Sequence, residues 1–548
     1  MWLSTDHHPM SFHYYLTPLV ATTSLYLGYQ LAKKVYEEFT SPLRHLPGPS
    51  VPANLLLGHF RKLQNDSTIT IKWREEFGAN YQFRGLLNER ELFTTDTKAL
   101  SHVLTNDHIY QKGPVAQKVV RHFLGNGLLA VEMDEHKQQR KITNPAFGLP
   151  QIKELTEIFN QKSAQLRDIW SKKINSGDSE GSRIDVLRWL RKMTLDVIGL
   201  AGFHYEFRAL VETGDEPNEL DEALTRIFNS PEARRQGMLR VIQAAIPVLG
   251  ILPEPGGKFI RDARTTMMDI AKKLLEDSKN AVKASGDETP SARRDLLSLM
   301  VKSNMSKDIP EHLRLSDADV IAQIPTFFVA GHETTSTATA LALYALSIHP
   351  SVQSKLRDEL LSLGTDNPTM DELNSLPYLE SVIRETMRLY PPVAFTVRTA
   401  MEDDVIPLSK PYLDRNGRSY DSISVHKGTA IRIDIAAVHL DNDLWGDDAE
   451  DFRPSRWEHI PDAASRIPSV WANLLNFLAG PHNCIGFRFS LVEMKSLLFI
   501  LLRAFEFEMA VPRGDVAFSA TPVNRPRVLS EPMGGSQLPL IVRPYLDT

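Results

Sequence analysis

Hydrophobic residues along this chain recur mostly with the spacing of an α-helix. Apolar positions three and four residues apart predict amphipathic helices at 151–175, 184–200, 218–230, 258–283, 316–348, 351–362, 376–389 and 485–505. Shorter runs that indicate β-strands occur near 79–95, 394–400 and 429–434. The pattern therefore predicts a mainly α-helical protein with small β-sheets.

The polar segment 284–314 is the best candidate for a long surface connection, because it contains Gly286, Pro290 and Pro310. The helices on both sides of it need one another for burial. We therefore expect one large domain over 53–548. The apolar segment 243–255 has two interpretations, a surface element that dips into a membrane or plain core.

The N-terminal region has the features of a membrane anchor. Residues 12–32 are largely apolar, carry no formal charge and are followed by Lys33, Lys34 and Arg44. Such a run is about long enough to span a bilayer, and the positive charges after it favour a luminal N-terminus over 1–11. We expect a transmembrane anchor helix over 12–32, with a buried or interfacial helix as the alternative, and a Pro-rich hinge over 33–52.

Charge and cysteine content narrow the classes of function. The formal net charge is −6, so there is no basic excess to neutralise phosphates and we expect no nucleic-acid partner. The chain has 1 cysteine, which excludes an internal disulfide and any site built from several cysteines. Any cysteine chemistry therefore depends on Cys484 alone.

Cys484 lies in a segment suited to binding a flat cofactor. Gly480 and Gly486 flank it, and a predicted helix from about Ile485 directs free N–H groups toward a thiolate. Phe477 is expected to pack beside the sulfur. Such a cysteine can equally be a small buried hydrophobe, and a cysteine hydrolase is a further alternative.

The longest predicted helix carries a second group of candidate residues. Ser316 and Asp319 resemble a helix cap, and the apolar pattern continues to Ile348, about 50 Å of helix. Its middle reads Ala330-Gly331-His332-Glu333-Thr334-Thr335-Ser336. Small residues permit close approach of a planar cofactor, although Ser/Thr back-bonding in an ordinary core helix is the alternative. A zinc-protease HExxH motif is excluded, because Ser336 stands where the second histidine is needed.

A third motif lies on the helix that ends at Pro391-Pro392. Glu385 and Arg388 are three residues apart and share a helical face, as many solvated ion pairs do. A further arginine, Arg456, follows in Phe452-Arg453-Pro454-Ser455-Arg456-Trp457.

These three motifs, in this order, resemble those of the cytochrome P450 family over about residues 45–540. The resemblance implies the cytochrome P450 fold, with haem b (iron protoporphyrin IX) between the long central helix and the cysteine loop and helix. It implies that Cys484 is the axial iron ligand and that Glu333 and Thr334 relay protons during O₂ activation. Arg456 would complete a buried network with Glu385 and Arg388 that holds the cysteine loop in register.

Other site residues follow from the same resemblance. Arg140 and Arg398 match arginines that bind haem propionates, although Arg398 could also be a solvated strand charge. His136 stands where many relatives have Trp, and His482 where Arg is commoner, so both are expected to contact the cofactor in an altered way. The remaining expected members are Gly331, Phe477 and Gly486 at the cofactor, and Phe327, Phe328, Ala330 and Val393 in an apolar substrate pocket.

The implied activity is a haem-thiolate monooxygenase that inserts one oxygen atom from O₂ into a small apolar molecule. Since the sequence shows no flavin or nicotinamide site, we expect an NADPH-dependent flavoprotein reductase to supply electrons. An acidic reductase would favour the cysteine side, where Arg488 and Lys495 lie. Alternatives are an O₂-independent isomerase or dehydratase and a non-enzymatic haem sensor.

The cysteine loop looks most like those of fungal microsomal members of the family. This resemblance implies the endoplasmic reticulum membrane, with the catalytic domain facing the cytosol. It also implies secondary metabolism, such as terpenoid biosynthesis.

Overall fold

The computed structural model describes residues 13–52, 54, 56–175, 181–211, 218–228, 231–253, 257–284, 295–305, 310, 314–518 and 523–545. The helices in these ranges are α1 (His13–Thr40), α2 (Phe60–Asn65), α3 (Ile69–Phe77), α4 (Thr97–Thr105), α5 (Pro114–Leu124), α6 (Met133–Thr143), α7 (Leu149–Asn175), α8 (Val186–Phe203), α9 (Glu219–Phe228), α10 (Pro231–Ala245), α11 (Gly257–Ala284), α12 (Leu296–Met305), α13 (Asp317–Ser347), α14 (Pro350–Ser362), α15 (Met370–Asn374), α16 (Pro377–Leu389), α17 (Ile435–His439), α18 (Asn442–Trp445) and α19 (Phe487–Ala504). All eight helices predicted from apolar spacing are present, with small differences at their ends.

The strands are short and form small sheets. They are β1 (Asn80–Arg84), β2 (Arg90–Thr94), β3 (Tyr110–Gln111), β4 (Ser182–Asp185), β5 (Phe395–Ala400), β6 (Asp404–Leu413), β7 (Ser419–Val425), β8 (Ala430–Asp434), β9 (Phe505–Met509), β10 (Val516–Phe518), β11 (Pro526–Val528) and β12 (Pro539–Pro544). The largest sheet has the order β1-β2-β8-β5-β3, in which only β2 and β8 are parallel. The expected mainly helical fold with small sheets is confirmed.

Helix α13 lies at the centre of the fold because most of its surface is apolar. It packs along α8, while α19 packs along α7 and also contacts α13. The predicted cap is present: the Asp319 amide donates to Ser316 Oγ and the Ser316 amide donates to the Asp319 carboxylate. Pro325 lies within α13 without ending it. The helix thus carries its central motif through the core.

The segment 284–314 contains a packed helix, which the polar composition concealed. Within it, α12 buries Leu296, Met300 and Val301 against the main core. Apolar residues near its start are enough to fix this helix, so a surface connection over the whole segment is wrong. Most of the rest of the segment lies outside the described residues.

The N-terminal region differs from the prediction. Helix α1 continues through residues 33–40, so the expected hinge is helical there, and Glu38 pairs with Arg84 (2.6 Å) and with Arg90. No helix of the described residues is both long and apolar enough to cross a membrane, so the anchor over 12–32 is not supported. Polar Thr22 and Gln30 interrupt its apolar character. Residues 1–12 lie outside the described ranges.

The apolar segment 243–255 is a surface element where it is described. Ile251 ends the 3₁₀ turn Pro247–Ile251 and is 85% exposed, and the next residue, Leu252, is 58% exposed. Neither side chain is buried in the part of the chain that the structure describes. The interpretation of this segment as plain core is therefore wrong.

Candidate functional site

Cys484 lies on the loop between the 3₁₀ turn Leu475–Phe477 and the start of α19. Its amide donates to the Phe477 carbonyl (2.9 Å), which folds the loop back on itself. The side chain is accessible, yet burial among surrounding protein atoms raises the pKa of the thiol, against a lowering effect of the Gly486 amide and Arg140. A cleft of about 360 Å³, lined in part by Arg140, Cys484 and Arg488, reaches the same loop.

The two glycines of this loop have different reasons to be glycine. Gly480 has φ +71°, and a Cβ there would lie 2.0 Å from the Leu104 carbonyl oxygen at the end of α4, so no other residue fits. Gly486 caps α19, and a Cβ there would lie 3.5 Å from the ring of Phe147, an ordinary contact. The Phe477 ring is buried and packs against Trp471 and Phe487 rings.

Near its middle, α13 has an accessible face. Ala330 is exposed, and Gly331 and Thr334 are partly exposed, whereas nearly all later residues of the helix are buried. The Thr334 hydroxyl donates to the Ala330 carbonyl (2.8 Å). A Cβ on Gly331 would lie 2.9 Å from Ile198 of α8. Close packing of α8 against α13 therefore requires a glycine at position 331. This is a separate role from the one predicted for Gly331, close approach of a planar cofactor.

Helices α13 and α19 bring the two motifs together. The Thr335 hydroxyl of α13 donates a hydrogen bond to Ser490 Oγ of α19 (3.1 Å). Thr335 follows the Glu333–Thr334 pair directly, and Ser490 lies shortly after Cys484 in the sequence. The accessible face of α13 and the cysteine loop are thus held at neighbouring positions in the core.

Glu333 is buried between two arginines, which the sequence did not predict. Arg191 of α8 lies 3.0 Å from one carboxylate oxygen and Arg525 lies 2.8 Å from the other. Burial raises the pKa of Glu333, but the charges of Arg525 and Arg191 outweigh it and hold the pKa well below its usual range. Glu333 is therefore an ionised carboxylate.

The two histidines that were predicted to contact the cofactor, His136 and His482, lie together beside Glu132. The centroids of the His136 and His482 rings lie 3.9 Å apart with the ring planes tilted by 32°. His482 Nε2 and Lys112 Nζ each lie 2.8 Å from the Glu132 carboxylate. Burial and the nearby positive charges lower the pKa of His136 to about 3, so its ring is neutral. Burial opposes ionisation of Glu132, yet His482 and Lys112 lower its pKa to about 2. Neither Lys112 nor Glu132 was predicted, because they stand in no recognisable motif.

The two predicted propionate arginines differ in position. Arg140 donates to the backbone and side-chain oxygens of Asn483 (2.6 and 2.5 Å), so it binds the cysteine loop itself. Arg398 is only 4% exposed and donates to Thr396 Oγ1 and the Val397 carbonyl. Its guanidinium forms no ion pair within 4.0 Å among the described residues, and the charge of Glu132 acts on it from farther away. A buried arginine that lacks a carboxylate partner suits an acidic ligand, and it is not the solvated strand charge of the alternative.

Glu385, Arg388 and Arg456 meet in the core. Arg388 donates to both oxygens of Glu385 (2.9 and 2.8 Å), and Arg456 Nε lies 3.4 Å from the same carboxylate. Trp457 Nε1 adds a further donor at 3.1 Å. The remaining Arg388 donors reach carbonyls, including that of His439 (2.9 Å).

The expected substrate-pocket residues divide into two groups. The Phe328 ring is fully buried against Phe203 and Phe207, and the Phe327 ring is buried 5.7 Å from that of Phe147. These two rings pack in the core, since they extend from the sides of α13 that meet neighbouring elements, and their place in a substrate pocket stays a prediction. Ala330 is accessible, and Val393 is partly buried and forms a bridge with Val523.

Comparison with known proteins shows what such an arrangement is used for. The cytochrome P450 family model matches residues 46–524. The chain belongs to the cytochrome P450 family. Cytochrome P450 monooxygenase 205 of Postia placenta is 49% identical over 92% of this chain and 94% of that protein. Monooxygenase 128 of the same fungus is 46% identical over 96% and 97%, and monooxygenase claO of Ampulloclitocybe clavipes is 33% identical over 92% and 93%. This cytochrome P450 is thus an oxidoreductase, a monooxygenase of the haem-thiolate class.

The residues present fit a haem. Cys484 is an accessible thiol in the wall of a cleft, and the Thr335–Ser490 hydrogen bond links the helix after it to α13, which has small, accessible residues at Ala330 and Gly331. The buried guanidinium of Arg398 lies beside a cluster with donors for acidic groups, as porphyrin propionates require. The donor set therefore agrees with the cofactor of the family.

Proposed function

We propose that this cytochrome P450 inserts one oxygen atom from O₂ into a small apolar molecule, at a haem b held by Cys484. The observation that carries the proposal is the Thr335–Ser490 hydrogen bond (3.1 Å), which joins α13, at the residue after the partly exposed Thr334, to the helix that follows Cys484. Bound haem b would supply activation of O₂ for oxygen transfer. Cys484 would bind its iron, and Arg398 and His136 would bind its propionates.

Protons for the reaction are assigned to the accessible face of α13. Thr334 is the member of the Glu333–Thr334 pair whose side chain is accessible, and its hydroxyl can still accept hydrogen bonds from water or substrate while it donates to the Ala330 carbonyl. Glu333 is ionised and forms ion pairs with Arg191 and Arg525. It therefore carries no proton to donate, and its negative charge orients nearby proton donors. Delivery by Glu333 itself requires its carboxylate to release an arginine.

Electrons are proposed to arrive from an NADPH-dependent flavoprotein reductase at the surface near Cys484. Arg488 is exposed on the first turn of α19, with its guanidinium over the Phe487 ring. Lys495 does not support this face, because it is buried and pairs with Glu380 (2.8 Å). An acidic partner would therefore meet Arg488 and not Lys495.

A location at the cytosolic face of the endoplasmic reticulum membrane remains a proposal. It rests on exposed apolar side chains and not on a spanning helix. Ile251 and Leu252 project from their turn, and Tyr26, Tyr29 and Tyr36 are exposed on α1. A flotation assay with vesicles tests whether the purified chain binds a lipid surface.

The substrate class is proposed to be apolar secondary metabolites, such as terpenoids. The small side chain of Ala330 leaves room above α13 for a bulky hydrocarbon frame, and Val393 adds an apolar wall. The fungal relatives carry monooxygenase names without a substrate, so the assignment of terpenoids rests on the cysteine-loop resemblance.

Labelled dioxygen separates this function from its two rivals. The purified holoenzyme is incubated with NADPH, a fungal P450 reductase, a terpenoid panel and ¹⁸O₂, and products are analysed by mass spectrometry. One ¹⁸O atom in a product supports the proposal. A product without label would indicate an isomerase or dehydratase, and NADPH-independent ligand binding with no product would indicate a sensor.

A further inference from the structure

His439 occupies a position between two parts of the site. It is the last residue of α17 and is fully buried. Arg388 of the Glu385 network lies on one side of it, and the turn that leads into the cysteine loop lies on the other. No sequence motif suggested a role for this residue.

Three hydrogen bonds lead from the network to Cys484 through His439. Arg388 Nη1 donates to the His439 carbonyl (2.9 Å), and the Leu475 amide donates to His439 Nε2 (2.8 Å). Leu475 begins the turn that ends at Phe477, whose carbonyl accepts from the Cys484 amide (2.9 Å). The imidazole is therefore the side-chain link in an otherwise backbone-mediated path.

Only a neutral imidazole of one tautomer can make this link. Because Nε2 accepts the Leu475 hydrogen, it carries no hydrogen of its own, and the ring hydrogen must be on Nδ1. Burial and the charge of Arg388 lower the pKa of His439 to about 3, which agrees with the neutral ring. A buried backbone N–H without an acceptor is costly, so Leu475 depends on this nitrogen.

We propose that His439 is a positioning residue that holds the cysteine loop in register, by accepting the Leu475 amide hydrogen while its carbonyl accepts from Arg388. The inference rests on the proposed iron-binding role of Cys484 and deepens it. His439 does not touch substrate or cofactor and acts through the backbone of residues 475–484.

Four variants of the full-length holoenzyme test the proposal. H439L removes the acceptor while keeping an apolar side chain of similar extent. H439Q can place an amide oxygen about where Nε2 lies, whereas H439N is too short to do so. The matched control is H59L, because His59 is also buried and its Nδ1 accepts the Arg84 amide hydrogen (3.0 Å) in a different part of the fold.

The measurement is the stability of thiolate ligation. Reduced, carbon monoxide-bound protein is held at one temperature, and the decay rate of its red-shifted Soret band into a band at shorter wavelength is recorded. Unfolding by denaturant is measured in parallel. We expect H439L and H439N to lose the red-shifted band about tenfold faster than wild type, and H439Q to stay within about threefold. H59L should lose global stability without a comparable change in this decay.

Two results would overturn the proposal. One is equal decay rates for H439L and H59L at equal loss of global stability. The other is identical behaviour of H439Q and H439N, which remains decisive if H439L does not fold. A wild-type protein without any red-shifted band would instead overturn the proposed haem-thiolate function, so the two failures are distinguishable.

Discussion

Arg525 lies 2.8 Å from the carboxylate of Glu333, which connects the chain after β10 to the centre of α13. Arg191 approaches the same carboxylate from α8 at 3.0 Å. Three buried charges thus hold three separate parts of the chain together next to Thr334, the proposed site of proton delivery. Removing the central charge would leave two buried cations facing each other.

E333Q tests how much the ion pairs of Glu333 with Arg191 and Arg525 contribute to the stability of the fold. We expect the free energy of unfolding to fall by about 3–5 kcal/mol, because the amide cannot neutralise Arg191 and Arg525. E222Q is the control, since Glu222 forms an exposed pair with Arg226 (3.2 Å) and should cost about 0.5 kcal/mol or less. Equal effects of both substitutions in denaturant unfolding would contradict the account.

Much of this architecture follows from the sequence. The eight predicted helices and the residues of the Glu385–Arg388–Arg456 network have the expected places because regular spacing and local motifs encode them. The arginine partners of Glu333 could not be predicted from the sequence. Arg191 is 142 positions before Glu333 and Arg525 is 192 positions after it, and tertiary packing brings them together. The charged residues inside the otherwise apolar run of α8 were the one available signal of a buried partner.

Phe328 shows a second limit of sequence reasoning. It stands two residues before Ala330, and both residues were predicted to line a pocket. Because a helix turns by about 100° per residue, their side chains point in different directions, and the Phe328 ring packs against Phe203 and Phe207. Likewise, the requirement for Gly331 comes from Ile198 of α8, a contact that no local pattern contains.

T334A tests proton delivery from the accessible face of α13. We expect at least a tenfold fall in the fraction of NADPH electrons that appear in product, because the hydroxyl is lost, with an unchanged haem spectrum. T339A is the control, since the Thr339 hydroxyl donates to the Thr335 carbonyl (2.9 Å) inside the buried part of α13. Wild-type coupling in T334A would assign proton delivery to another group.

R488E tests the proposed docking surface for the reductase. Charge reversal should raise the reductase concentration needed for half-maximal turnover about threefold or more at low ionic strength, and less at high salt. R418E reverses an exposed charge near the start of β7 and should have no such effect. Unchanged reductase dependence in R488E at low salt would exclude this surface.

Glu91 gives the fold a dependence on pH. Burial raises its pKa to about 7, with Glu89 adding to and Arg432 opposing the shift. For an acid whose folded pKa is above the unfolded value, stability is lost as pH rises from about 4.5 to 7 and is then constant. E91Q removes this loss, so its unfolding free energy relative to wild type should rise by on the order of 2–3 kcal/mol between pH 5 and pH 8. A pH-independent difference in denaturant titrations would contradict the assignment.

The visible spectrum of the reduced, carbon monoxide-bound protein tests whether Cys484 binds the haem iron. We expect a strongly red-shifted Soret band in the wild type that is absent from C484A. A protein that binds no haem, or a histidine-type spectrum identical in both proteins, would contradict it.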